Sequence, residues 1–168
     1  VVFVDLGGYG GATSDIRYSV DTQYGKNVIE TICNNCTIVK ASAEDLASIF
    51  PGNTIEEAAD SLVALGAKTV VVTCGEKGAF YKLGAEAPVY YNPFNAHSEE
   101  SHGQLDFTGA GDSFGAGFMA SYVQHQDIDR AVQNGNATAS LVIQRSGGCT
   151  FNRMPSRERI EKRLATGE

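Results

Sequence analysis

Six consecutive residues, Lys68-Thr69-Val70-Val71-Val72-Thr73, constrain this chain more than any other segment. Five of the six are β-branched, which stiffens χ1, works against a helix and suits a pleated strand. The run has no apolar/polar alternation, so it fits a central strand of a parallel sheet with both faces covered.

The rest of the chain alternates around that strand. Val1-Val2-Phe3-Val4-Asp5 reads as a buried parallel strand with an acid at its C-terminal edge, followed by a glycine-rich turn, Gly7 to Gly11. Val28, Ile29 and Ile32 share one face of a helix predicted over 22–34. Residues 36–40 predict a second strand. Ser42 caps the next helix, with Glu44 and Asp45 in the first turn where the helix dipole favours acids. Pro51-Gly52-Asn53 breaks that helix. Thr54 and Glu57 form a capping box for a helix over 55–65, which Gly66 ends. Gly75-Glu76-Lys77-Gly78 turns into an antiparallel strand at 79–82. Val89-Tyr90-Tyr91 predicts an edge strand and 92–104 a polar loop. Long helices follow over about 112–124 and 127–145, and Pro155 is expected to start a short last helix. Phe114, Phe118 and Tyr122 recur at helical spacing and read as core. The alternation predicts an α/β layered fold with a mainly parallel central sheet, in a single domain over 1–168.

Composition removes several functions. A net charge of −7 and a pI near 4.9 exclude nucleic acid as the main partner. The densest basic segment, Arg153 to Arg163, is interleaved with Glu158 and Glu161 and reads as a solvated helix. No apolar run approaches the ~20 residues of a membrane span. Cys33-Asn34-Asn35-Cys36 is a single CxxC without a second pair, which reads as reduced thiols rather than a zinc site, in a cytoplasmic setting. His97, His102 and His125 show no ligand spacing and read as solvated. The chain begins with Val1 inside a strand-like run, as a piece of something longer or a processed product would.

The sharpest chemical feature is Asp106-Phe107-Thr108-Gly109-Ala110-Gly111-Asp112-Ser113-Phe114. Gly109-Ala110-Gly111 strips side chains from the start of a helix, so three backbone N–H groups are expected to point outward at the positive end of the dipole. Such amides form an anion hole. Asp112 beside it is then a base that takes a proton from a nucleophile while the amides hold a transferring phosphoryl group. A plain acidic helix N-terminus is the competing reading of the same residues.

Asp106-Phe107-Thr108-Gly109-Ala110-Gly111-Asp112 resembles the DTTGAGD box of the ribokinase-like (PfkB-type) kinases, with Phe107 at its second position. Three further segments are similar to that family's, in family order. Val71-Val72-Thr73-Cys74-Gly75-Glu76-Lys77-Gly78 resembles its nucleotide loop. Val39-Lys40-Ala41-Ser42-Ala43-Glu44-Asp45-Leu46 resembles the helix start of fructokinase-type members. Asn136-Ala137-Thr138-Ala139-Ser140, followed by Arg145 and Gly147, resembles the stretch near the adenine pocket. The resemblance covers most of residues 36–150 and implies a C-terminal catalytic and nucleotide-binding part, without the N-terminal lid and substrate half. It implies that Asp112 is the catalytic base and that Gly109, Ala110 and Gly111 supply the anion hole. Thr73, Gly75 and Gly78 would line the triphosphate, Asn136 the base and ribose, and Ser42 and Asp45 the Mg²⁺ and phosphate region. Asp106 and Thr108 match positions that hold a monovalent cation, K⁺ being the expected one. ATP and Mg²⁺ are the implied cofactors, and a small sugar or polyol, with a second copy of the chain, the partners allowed.

Two departures stand out. Many members carry N-x-x-E where this chain has Ser42-Ala43-Glu44-Asp45, and the D-x-N-x-R of sugar kinases is absent from Asp5-Leu6-Gly7-Gly8-Tyr9-Gly10-Gly11. Two rival functions are a nucleotide-binding module without catalysis and an NAD-dependent oxidoreductase resting on the Gly7–Gly11 turn. G-x-G-x-x-G fails there, because its third glycine falls on Thr13, and no P-loop motif is present. A nucleoside is the alternative acceptor to a sugar.

Overall fold

The valine run is the middle strand of the sheet. In a computed structural model that describes residues 1–7, 19–100, 103–147 and 150–167, it forms β3 (Thr69–Thr73), with β1 (Phe3–Asp5), β2 (Ile38–Ser42), β4 (Ala79–Leu83) and β5 (Val89–Tyr91) in the order β1-β2-β3-β4-β5. β1 pairs parallel with β2, in register Asp5 with Lys40, and β2 pairs parallel with β3, in register Ser42 with Thr73. β4 returns antiparallel, with Thr73 opposite Ala79. The helices are α1 (Gln23–Asn35), α2 (Ala43–Ile49), α3 (Ile55–Ala64), α4 (Ala110–His125), α5 (Ile128–Val142) and α6 (Arg157–Thr166). None is long and apolar enough to cross a membrane. The Gly8–Gly11 part of the first turn, His102 and Cys149 lie outside the described residues.

Two compact units divide the chain: Val1–Gly75 with Ala79–Tyr90, and Glu76–Gly78 with Tyr91–Glu168. The first is built on the sheet. Val39, Ala41, Val70, Val72 and Phe80 pack with Ile29 and Cys33 of α1, Leu46 and Ile49 of α2, and Ala58 and Leu62 of α3. Ile38, Val71 and Tyr81 are buried as well, so β2, β3 and β4 are covered on both faces, as the continuous apolar runs require. Lys82 of β4 is held by an ion pair with Asp60. Thr22, Ser42 and Thr54 each cap a helix with the side-chain oxygen, worth about 1 kcal/mol apiece.

The second unit centres on a hairpin of α4 and α5. α4 ends at Gln126, in the left-handed conformation (φ 52°), and Asp127 caps α5 by accepting from the Arg130 amide at 3.0 Å. The two helices approach closely because glycines face them. A Cβ on Gly117 would lie 2.2 Å from Thr138 Oγ1, and one on Gly135 would lie 2.8 Å from the Phe114 ring. Phe114 and Phe118 are buried and stacked, 6.2 Å between centroids, as core rather than as a binding surface.

Three local expectations are corrected. β2 runs over 38–42, so Ser42 both closes the strand and caps α2. α6 is started by Ser156, which accepts from the Arg159 amide, and Pro155 stands ahead of the cap because Ser supplies the oxygen that Pro lacks. The Arg153–Arg163 segment is not a solvated helix throughout: Arg153 and Arg163 are buried, and oxygens inside the unit accept hydrogen bonds from their guanidinium groups.

Candidate functional site

The parallel register sets Asp5, Ser42 and Thr73 at the C-terminal ends of β1, β2 and β3, the edge at which α/β sheets take ligands. Asp5 Oδ2 pairs with the buried Lys40 ammonium at 2.8 Å, and its Oδ1 accepts from the Gly7 amide at 3.0 Å. Ser42 and Asp45, expected near Mg²⁺ and phosphate, bond to each other. Asp45 Oδ2 accepts from the Ser42 amide at 2.8 Å and its hydroxyl at 2.6 Å, and the Asp45 amide donates back to Ser42 Oγ at 3.0 Å. Thr73 is half-buried, and Gly75 opens a one-turn 3₁₀ helix, Gly75–Lys77, with φ 56° and open space where a Cβ would stand.

The second unit holds the rest. Gly78 is buried, with φ 84°, and a Cβ there would lie 2.1 Å from Tyr91 O and 2.8 Å from Pro93 N. Only glycine fits both the left-handed backbone and that contact. Asn136, buried on α5, donates its side-chain amide to Asn92 O at 3.4 Å, so it is tied to the same 91–93 segment that backs Gly78. Tyr91 in turn donates its hydroxyl to Asp129 on the first turn of α5.

Gly109, Ala110, Gly111 and Asp112 open α4 as the motif predicts. Gly109 is the N-cap (φ 76°) and offers no side chain to its helix. The three amides differ. The Ala110 N–H donates to Phe107 O at 3.0 Å, so it turns inward, whereas the Gly111 N–H makes no hydrogen bond among the described residues. Asp112 follows on the first turn, exposed. An amide left open at the start of a 16-residue helix fits an anionic oxygen. The open space beside Gly75 likewise fits a backbone that lies against a phosphate chain. Taken singly, each of these two features fits a phosphate oxygen.

The loop before α4 is stapled to the end of α5. The Asp106 amide donates to Ile143 O at 2.9 Å, and the Glu99 amide donates to Gln144 O at 2.9 Å. Asp106 Oδ2 accepts from the Gly147 amide at 2.9 Å and Oδ1 from the Thr108 amide at 2.9 Å. Hydrogen bonds from Thr108 and the Gly147 amide hold its carboxyl well below the usual carboxylate range. Glu100 accepts from the Ser146 amide and hydroxyl, both at 2.7 Å, which lowers it too. Burial pushes the Glu99 carboxyl up, but hydrogen bonds and charge from Arg145 and Arg159 outweigh this and leave it lowered.

Arg153 was missed in the sequence. Its guanidinium donates to Asp106 O at 2.7 Å, Thr108 O at 3.1 Å and Val142 O at 3.0 Å. A K⁺ ion at Asp106 and Thr108 would share these carbonyls with a permanent positive charge, which fits it poorly. The signal was present. Arg153 follows Thr150-Phe151-Asn152, and its nearest acid, Glu158, is five residues on, which no i,i+4 surface pair explains.

Comparison with known proteins identifies the family. A family model described as pfkB family carbohydrate kinase matches residues 12–156. The ribokinase of Bacillus subtilis is 30% identical over 139 residues, covering 81% of this chain and 42% of that one. The cytidine kinase of Thermococcus kodakarensis is 29% identical over 137 residues, covering 80% and 48%. The Arabidopsis thaliana ribokinase, solved with ribose and ATP, superposes with a TM-score of 0.69 at 26% identity, covering 80% and 43%. The chain thus spans about a third to a half of the length of the curated relatives it matches. With the motifs in order and the family model matched over most of its length, the chain belongs to the pfkB family of carbohydrate kinases.

Proposed function

We propose that this chain is the nucleotide-binding and catalytic C-terminal part of an ATP-dependent kinase that phosphorylates a hydroxyl of a sugar or a related small molecule. The observation that carries the reading is the open Gly111 amide at the start of α4, one residue ahead of Asp112. Asp112 accepts the proton of the acceptor hydroxyl as its oxygen bonds to the γ-phosphorus and the bond to the β-phosphate oxygen breaks. Gly111 donates to a γ-phosphoryl oxygen, and with Gly109 it strips side chains from the approach. Thr73 and Gly75 contribute triphosphate contacts from the strand end, and Gly78 packs against Tyr91 and Pro93. Asn136 steadies the 91–93 segment near the base and ribose. Mg²⁺, bound with the nucleotide, would neutralise phosphate charge.

The Lys40-Ala41-Ser42 helix start favours a hexose of the fructose type as acceptor. The T. kodakarensis relative, a cytidine kinase, supports a nucleoside as the second acceptor class. Calorimetric titration with ATP–Mg²⁺, with NAD⁺ as control, tests the reading. Gly111→Val should abolish ATP binding, and Asp112→Asn should keep it. In a chain extended to include the acceptor-binding half, Asp112→Asn should lower turnover by about 10²–10⁴. ATP affinity unchanged by Gly111→Val, or turnover within threefold of wild type in Asp112→Asn, would remove the site from the mechanism.

A further inference from the structure

The guanidinium of Arg153 sits in a shell of oxygens. The side chain is 2% exposed. Nη2 donates to Asp106 O at 2.7 Å and Val142 O at 3.0 Å, Nη1 to Thr108 O at 3.1 Å, and Nε to Val142 O at 3.2 Å. Asp106 Oδ2 lies 3.6 Å from Nη1. Three carbonyls and one carboxylate converging on a buried point form a hard-oxygen shell of the kind that suits a small cation. Here the positive charge arrives on a side chain. It is permanent, because arginine does not deprotonate, and its planar fork reaches several carbonyls at once. Two of those carbonyls, Asp106 O and Thr108 O, belong to the loop that leads into Gly109 and the open amide of Gly111.

We propose that Arg153 is a built-in replacement for a monovalent cation at the Asp106–Thr108 loop. It is a positioning residue that holds the start of α4 in place, so the protein is indifferent to K⁺. The positioning role rests on the proposed function of Gly111 and Asp112; the ion replacement does not, because it is read from stability.

The test begins with the unaltered chain. Its thermal midpoint, followed by circular dichroism, is compared in KCl, NaCl and tetramethylammonium chloride at equal ionic strength, about 0.1 M. Midpoints that agree within about 1 °C are expected. A midpoint raised several degrees by K⁺ over tetramethylammonium would overturn the proposal. Arg153→Ser then opens the oxygen shell. K⁺ should raise the variant's midpoint by roughly 3–6 °C over tetramethylammonium when the ion stands near ten times its dissociation constant. A folded Arg153→Ser chain that is equally stable in every salt would show that Arg153 only packs, and would also overturn it. If Arg153→Ser folds in K⁺ but not in tetramethylammonium, the replacement is supported. If it folds in neither, the unaltered chain decides. ATP titration in both salts reads the nucleotide site separately: an unaltered chain that binds no ATP in any salt counts against the proposed function and leaves the ion result standing.

Discussion

Replacing Gly78 with alanine should break the nucleotide loop through two separable costs. Gly78 has φ 84°, where an alanine pays about 1–2 kcal/mol for left-handed backbone. Its Cβ would also lie 2.1 Å from Tyr91 O and 2.8 Å from Pro93 N, so backbone rather than a flexible side chain must yield. Overpacking of that kind costs about 1–3 kcal/mol. Alanine recovers about 0.4–1 kcal/mol by narrowing the unfolded ensemble, which leaves a net loss of about 1–5 kcal/mol, centred on about 3. Gly75 is the control three residues earlier. Its φ is 56°, but nothing lies within 4 Å of its Cβ position. Gly75→Ala therefore pays the backbone cost alone, about 1 kcal/mol after the same correction. Urea titrations of the three chains, followed by circular dichroism, give the two differences. ATP calorimetry should show Gly78→Ala losing affinity by at least tenfold. Equal losses of stability at the two positions would refute the steric reasoning, since only Gly78 has a backbone neighbour in the way.

The other predictions concern protonation. Asp106 is depressed in the folded chain, so its contribution is present above its unfolded pKa of about 3.9 and is lost as pH falls toward the folded value. Asp106→Asn should therefore flatten the fall of thermal midpoint below about pH 4; a variant whose midpoint falls as steeply as wild type would contradict this. Burial, and next the neighbouring Cys36, push the Cys33 thiol up to about 12. Iodoacetamide at pH 8, with peptides read by mass spectrometry, should therefore modify half-buried Cys74 well before Cys33. Equal labelling rates would mean that the α1 thiol is not buried as described.

Where periodicity and capping carry the signal, the fold was readable from the residues. The β-branched run at 69–73, the Thr54–Glu57 box and the antiparallel return at 79–83 all stand where local chemistry puts them. Asp112 at the first turn of α4 and the glycines ahead of it were also legible, because a glycine-rich helix start is a local feature. What sequence could not show is how polar groups share partners across distance. Three amides in a row look equivalent until the turn at Phe107 takes one of them. Ser42 and Asp45 could have faced a ligand or each other, and three residues of spacing fit both. Arg153 belongs to Asp106, 47 residues away, and charge counting along the chain placed it instead with the acids of α6.

The hairpin of α4 and α5 has a consequence for how the second unit comes into being. Only Gln126 and Asp127 connect the helices, so closing the hairpin restricts a very short stretch of chain. Its contacts are close in sequence, the class that forms fastest during folding. The interlock of Gly117 with Thr138 and of Gly135 with Phe114 favours the native alignment over shifted ones. Asp112 and Asn136 are therefore expected to acquire their mutual spacing before the long-range ties from Glu99, Asp106 and Arg153 close around them.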